Sequence, residues 1–270
     1  MSQDLTSVRR ALTRVSSDLK QNNLLSAAKA VHAAARTLVF VPLIKHEQEE
    51  LSRMLGDACA LLQNSRELRR IFPLAVVYVP RKEAELIATM EELIPLLEAE
   101  AAEQARSGAE ALLARQRKTF AKGESELEAG DHATARETFG ALVGEFSEDA
   151  ALMANVGEAF LRNGLYEDAS HYLTGASCLL PRSAHVLNHL GIALRKMGRF
   201  DLAEEKFRAA LALEGKDPNL HFNLGRLYLD AKKWQSCLEC AQAALALDPS
   251  LSQASQMIAY CLRRLRDGKA

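Results

Sequence analysis

His185 and His189 stand four residues apart, so on a helix they share one face. Two imidazoles at that spacing can hold zinc when further donors join them. No cysteine, aspartate or third histidine accompanies them nearby, and His221 falls at a packing position further on. The expectation is a polar helix face and no metal site. Cys237 and Cys240 form a lone CxxC. Redox work would need a βαβ setting and a zinc site a second pair; with neither in sight, Cys237 reads as a packing residue. His46-Glu47-Gln48-Glu49-Glu50 lacks the second histidine of a zinc hydrolase, and Gly215-Lys216-Asp217-Pro218 reads as a turn, not a phosphate loop. No Ser/His/Asp or Cys/His grouping shows in local context. The sequence therefore recommends no enzyme, no catalytic residue and no cofactor.

The elements that must position these residues follow a period. Gly123, Gly157, Gly191 and Gly225 recur every 34 residues, the spacing of a helical-hairpin array. With each glycine placed eighth, units run over 116–149, 150–183, 184–217 and 218–251. The twentieth place is always small: Ala135, Ala169, Ala203 and Cys237. The twenty-fourth reads Phe139, Leu173, Phe207 and Ala241, and the thirty-second Ser147, Pro181, Gly215 and Pro249. Glycine and a small partner let two helices approach closely, a large side chain fills the space between units, and Pro, Gly or Ser ends the second helix.

These residues resemble the tetratricopeptide repeat family. The best copies are Asn155-Val156-Gly157-Glu158-Ala159-Phe160 with Tyr166-Glu167-Asp168-Ala169, and Asn223-Leu224-Gly225-Arg226-Leu227-Tyr228. The resemblance implies an all-α, right-handed helical-hairpin solenoid of four units, whose first helices line a concave groove. By resemblance the groove carries Asn155, Glu158 and Arg162 from the second unit. The third adds His185, Asn188, His189 and Arg195, and the fourth Asn219, Phe222, Asn223 and Arg226. Asn155, His189 and Asn223 share the sixth place. A row of amides can bond an extended peptide backbone without dictating its sequence. The carboxylate clamp of chaperone-tail binders is not reproduced: its places read Ala154, Glu158, His189, Asn219 and Asn223, without the basic ends.

The array is expected to end in a polar capping helix at 252–267, with Ile258 and Leu262 inward and Arg263, Arg264 and Arg266 outward. Ahead of it, 1–80 reads as a helical module. It opens with a hairpin over Asp4–Gln21 and Leu24–Phe40 that buries Ala27, Ala28, Val31 and Ala35, then a helix over about 46–63. Ile71–Val79 reads as an extended, buried connector, with a short edge strand as the alternative. A long connecting helix occupies 81–115. Within 82–106, Leu86, Met90, Leu93 and Leu97 form a stripe that packs on the N-terminal hairpins or, alternatively, makes a homodimer seam.

Composition bounds the rest. The formal net charge of −1 gives no global attraction to nucleic acid or an anionic membrane. The nine-residue run Ile71–Val79 is too short to span a bilayer. The N-terminus lacks the apolar core of a signal peptide. Five scattered cysteines fit a reduced, cytoplasmic setting. The expected function is a protein–protein adaptor that holds an extended peptide or partner helix in the groove. The alternative is a holding chaperone or assembly factor, similar to type III secretion chaperones; a metal-binding or enzymatic protein stands behind both.

Overall fold

A computed structural model describes residues 2–267, with side chains described from Leu5 onward. Among these residues there are thirteen helices and no strand. The chain divides into two compact units, one ending at Leu112 and the other beginning at Leu113.

The N-terminal unit holds α1 (Ser2–Lys20), α2 (Leu24–Phe40), α3 (Lys45–Gln63), α4 (Arg66–Ile71) and the start of α5 (Glu83–Glu128). Asn22 takes φ +58° between α1 and α2, a left-handed conformation that asparagine tolerates well. Asn23 then accepts the Ser26 N–H and caps α2. Ala27, Ala28, Val31 and Ala35 are fully buried, the face expected from their spacing. They join Leu51, Leu55, Leu62 and Leu68 in one core.

One expectation needs correction in this unit. The segment after Ile71 is extended without a partner strand, and only Phe72 and Val76 of its apolar residues are buried, while Leu74, Val77 and Val79 are exposed. A lone extended segment touches the core only where a side chain happens to face it, and Val76 is fixed there by donating its N–H to Gln63 Oε1. The stripe Leu86, Met90, Leu93 and Leu97 lies in the same core as the N-terminal hairpin, the packing expected from its spacing. The helix itself runs on to Glu128 without a break. Past Pro95 it is rich in Ala, Glu, Leu, Arg, Gln and Lys, strong helix formers that carry it through. Residues 101–115 are exposed throughout.

The second unit contains the end of α5, then α6 (His132–Glu145), α7 (Ala150–Arg162), α8 (Tyr166–Leu179), α9 (Ala184–Lys196), α10 (Phe200–Leu213), α11 (Pro218–Asp230), α12 (Trp234–Leu247) and α13 (Ser252–Asp267). The period is visible in every joint. Asp149, Ser183 and Asp217 stand just before α7, α9 and α11, and each side chain accepts a backbone N–H of its helix. At the other end, Gly130, Gly164, Gly198 and Lys232 occupy the same place with φ between +58° and +78°. There the N–H of Asp131, Leu165, Arg199 or Lys233 reaches back to the carbonyl five residues earlier, the Schellman closure of a helix.

The eighth-place glycines meet their own unit's twenty-fourth residue. A methyl group at Gly123 would stand 2.6 Å from Phe139, one at Gly157 2.6 Å from Leu173, and one at Gly191 2.9 Å from Phe207. These large side chains thus fill the crossing inside each hairpin. Aromatic contacts then run from one hairpin to the next: Phe120, Phe139, Phe160 and Tyr172 follow one another at 5.4 to 5.5 Å between ring centroids. In the fourth hairpin Ala241 leaves the crossing open, and Met257 of α13 enters it, 3.1 Å from the place of a methyl at Gly225. The inward face of α13 is Ala254, Met257 and Cys261, with Ile258 half-buried, whereas Leu262 is 52% exposed. The spacing 254, 257, 261 sets the buried face, and Leu262 falls one step of about 100° past it. Arg263, Arg264 and Arg266 are exposed, as a terminal cap requires.

Candidate functional site

The first helices of the hairpins lie side by side, α7 against α9 and α9 against α11. All eleven residues expected to line the groove sit on these three helices. Much of that row is tied together across hairpins. Arg162 donates to Glu124 Oε1 at 2.6 Å, and Asn223 Nδ2 donates to Asn188 Oδ1 at 3.0 Å. Arg195 donates to Asp230 Oδ2 at 2.6 Å. Arg195 is 5% exposed. Burial, then the charge of Arg226, draws its pKa down, and Asp230 opposes them. An arginine nevertheless keeps its charge, so the buried Arg195 reaches out to an exposed Asp230 and ties the third and fourth hairpins.

His185, His189 and Glu158 form a second group. Glu158 Oε1 lies 3.5 Å from His185 Nε2 and 4.0 Å from His189 Nδ1. The imidazole rings are 4.4 Å apart between centroids. Sequence reasoning found both histidines and missed their relation to Glu158. The third donor comes from the preceding hairpin, at its ninth place, opposite the second and sixth places of the next.

The remaining expected residues face solvent to different degrees. Asn155 and Asn219 are exposed, and Phe222 is half-buried with the Arg226 guanidinium 5.8 Å above its ring. Asn155 borders a cavity of about 350 Å³ between the end of α5 and α7, lined also by Gln116, Arg117, Phe120, Asp149 and Leu152. Gln116 donates to Asp149 across it at 2.9 Å. None of these neighbours is among the residues expected to line the groove.

A larger depression, about 540 Å³, involves the second helices, with Met153, Tyr172, Gly175, Cys178 and Met197 among its walls. On that side polar side chains are also paired. Arg136 grips Asp168 with two nitrogens at 2.8 and 3.0 Å. Glu204 receives Tyr228 Oη at 2.9 Å and Arg208 Nε at 3.0 Å. Burial, with Glu204 adding to it, pushes the Tyr228 hydroxyl up to about 12. Such a phenol stays protonated and serves as a donor, not a base. Cys237 is fully buried, as a small packing residue should be, and Cys261 of α13 lies against it, sulfur to sulfur at 2.9 Å. Among the described residues no helix is long and apolar enough to cross a membrane.

Residues 120–174 and 189–252 match a family model described as tetratricopeptide repeat. BBSome complex member BBS4 of Bos taurus is 26% identical over 106 residues, which cover 39% of this chain and 20% of that protein. Anaphase-promoting complex subunit CDC16 of Saccharomyces cerevisiae is 27% identical over 121 residues, covering 42% of this chain and 14% of that one. The match thus spans no more than a fifth of either relative's length. A solved structure of MamA from Desulfovibrio magneticus RS-1 superposes with a TM-score of 0.49 at 21% identity, over 57% of this chain and 87% of that chain.

Proposed function

As this chain is a tetratricopeptide-repeat protein, we propose that it is an interaction adaptor that holds an extended peptide along the first helices α5, α7, α9 and α11. One observation carries the reading: the exposed amide of Asn155 stands at the rim of the cavity beside Phe120 and Leu152. An apolar floor with an amide at its edge suits a peptide that buries a side chain while its backbone pairs with the amide. The ties Arg162–Glu124, Asn188–Asn223 and Arg195–Asp230 hold the row in register and leave Asn155, Asn219 and Phe222 as its free contacts. A peptide ordered on this row binds on the order of micromolar, because ordering offsets much of the contact energy.

The test is a photo-crosslinking amino acid placed at position 155, with position 205 on α10 as an exposed control. Partner protein captured from position 155 and not from 205 supports the reading. Equal capture at both positions, or capture at 205 alone, removes it. The alternative of a holding chaperone draws on exposed apolar side chains of the N-terminal unit, Phe40 and Ile44 at 68% and Leu74 and Val77 at 59%. A holding chaperone would keep an aggregating client in solution at stoichiometric ratio, whereas an adaptor leaves client aggregation unchanged.

A further inference from the structure

We propose that Glu158, His185 and His189 form a binding site for a divalent transition-metal ion of the zinc type. Each of the three residues offers a donor atom within 4.8 Å of the others. Around a tetrahedral ion with bonds of about 2.0–2.2 Å, donors stand about 3.3 Å apart. Glu158 Oε1 to His185 Nε2 is 3.5 Å, and the His189 ring lies 4.4 Å from that of His185 between centroids, so side-chain rotations bring the set onto one ion.

The two imidazoles are borderline donors that favour zinc and its neighbours over calcium or magnesium, and the carboxylate is a hard oxygen that zinc also accepts. His189 Nδ1 lies 2.9 Å from the carbonyl oxygen of His185. Donating there, it fixes the tautomer and leaves Nε2 with its lone pair, the outer-shell arrangement common to metal-bound histidines. Glu158 Oε1 is buried and receives no hydrogen bond; a carboxylate oxygen in that state costs free energy unless a cation or proton meets it. Nearby Arg162 is engaged with Glu124 at 2.6 Å. The first turn of α9 puts partial positive charge near His185, and the full negative charge of Glu158 outweighs it. His185 is 63% exposed on its side chain, which leaves the outer coordination positions open to water.

Tag-free full-length protein, stripped with a chelator and equilibrated with zinc chloride, tests the site. Elemental analysis after gel filtration is expected to give about one zinc per chain, the stoichiometry of one such site. Glu158→Gln and His185→Asn, each checked for helical content by circular dichroism, are expected to weaken zinc in calorimetry by more than ~10-fold, the least that loss of an outer-shell partner gives. Zinc should raise the melting temperature of the wild type and of neither variant. Cobalt in place of zinc should give weak visible bands without strong sulfur charge transfer. Absence of retained zinc in the wild type, undiminished zinc in both variants, or a sulfur–cobalt band would each overturn the proposal. Zinc binding and peptide capture are read separately, so either fails without the other.

Discussion

At the scale of single residues, the eighth-place glycines separate into two classes by what lies opposite. Gly191 faces the ring of the fully buried Phe207, three of whose atoms would lie within about 3.0 Å of an added methyl. That ring is fully buried, so it shifts only by displacing its neighbours. Overpacking of this kind costs roughly 1–3 kcal/mol, against a helix-propensity gain of about 1 kcal/mol for Gly to Ala. Gly191→Ala is therefore expected to lower the unfolding midpoint. Gly225 faces the flexible Met257 side chain, so Gly225→Ala should be neutral or slightly stabilising. Urea unfolding of the two variants checks the order, and a more damaging Gly225→Ala would contradict it.

The cysteines also differ residue by residue. Burial pushes Cys59 up to about 12, and burial pushes Cys240 up to about 11 with Glu239 adding to it. Burial and the neighbouring Cys261 raise Cys237. The thiolate is the reactive form, so these groups are inert at neutral pH, while Cys178 is exposed. Reaction of the folded protein with an aromatic disulfide reagent should show one fast thiol, and Cys178→Ser should abolish that phase. A fast phase that survives the substitution would refute this assignment.

Among elements, the four first helices end alike, with one left-handed residue closing each. Three of those are glycines at φ +75° to +78°, and the fourth is Lys232 at +58°. A side chain in that region costs about 1–2 kcal/mol, part of which glycine returns through its freer unfolded chain. Lys232→Gly is thus expected to stabilise the second unit by about 0.5–1 kcal/mol. The substitution removes only an exposed side chain. A lowered melting temperature would mean that the lysine stem over the Schellman turn matters more than its backbone strain.

For the whole molecule, the decisive fact is that each unit has a core of its own. One gathers Val15, Val31, Leu51, Leu55, Met90 and Leu93; the other gathers Phe139, Phe160, Leu173, Phe207 and Leu227. Residues 101–115 of α5 contribute nothing buried to either. Separate chains of residues 1–112 and 113–270 should each remain helical and melt cooperatively, since each retains its full core. Aggregation of either fragment under conditions where the full chain is soluble would show that the units depend on each other.

Much of the second unit was legible in the sequence, because its constraints are local and repeat. A left-handed turn admits glycine, a close crossing admits only small residues, and each recurs every 34 positions. The N-terminal hairpin was legible for the same reason, from the spacing of Ala27, Ala28, Val31 and Ala35. What sequence could not decide is which face meets which. The stripe of Leu86, Met90, Leu93 and Leu97 is equally apolar against a second copy or its own hairpins. Leu262 is as apolar as the buried residues beside it. Glu158, His185 and His189 are polar residues of two different hairpins, and nothing in their separation predicts that they converge. Helical periodicity fixes the side of a helix on which a residue lies; only the packing of one helix on the next decides what stands opposite, and in this chain that packing assembled the three donors.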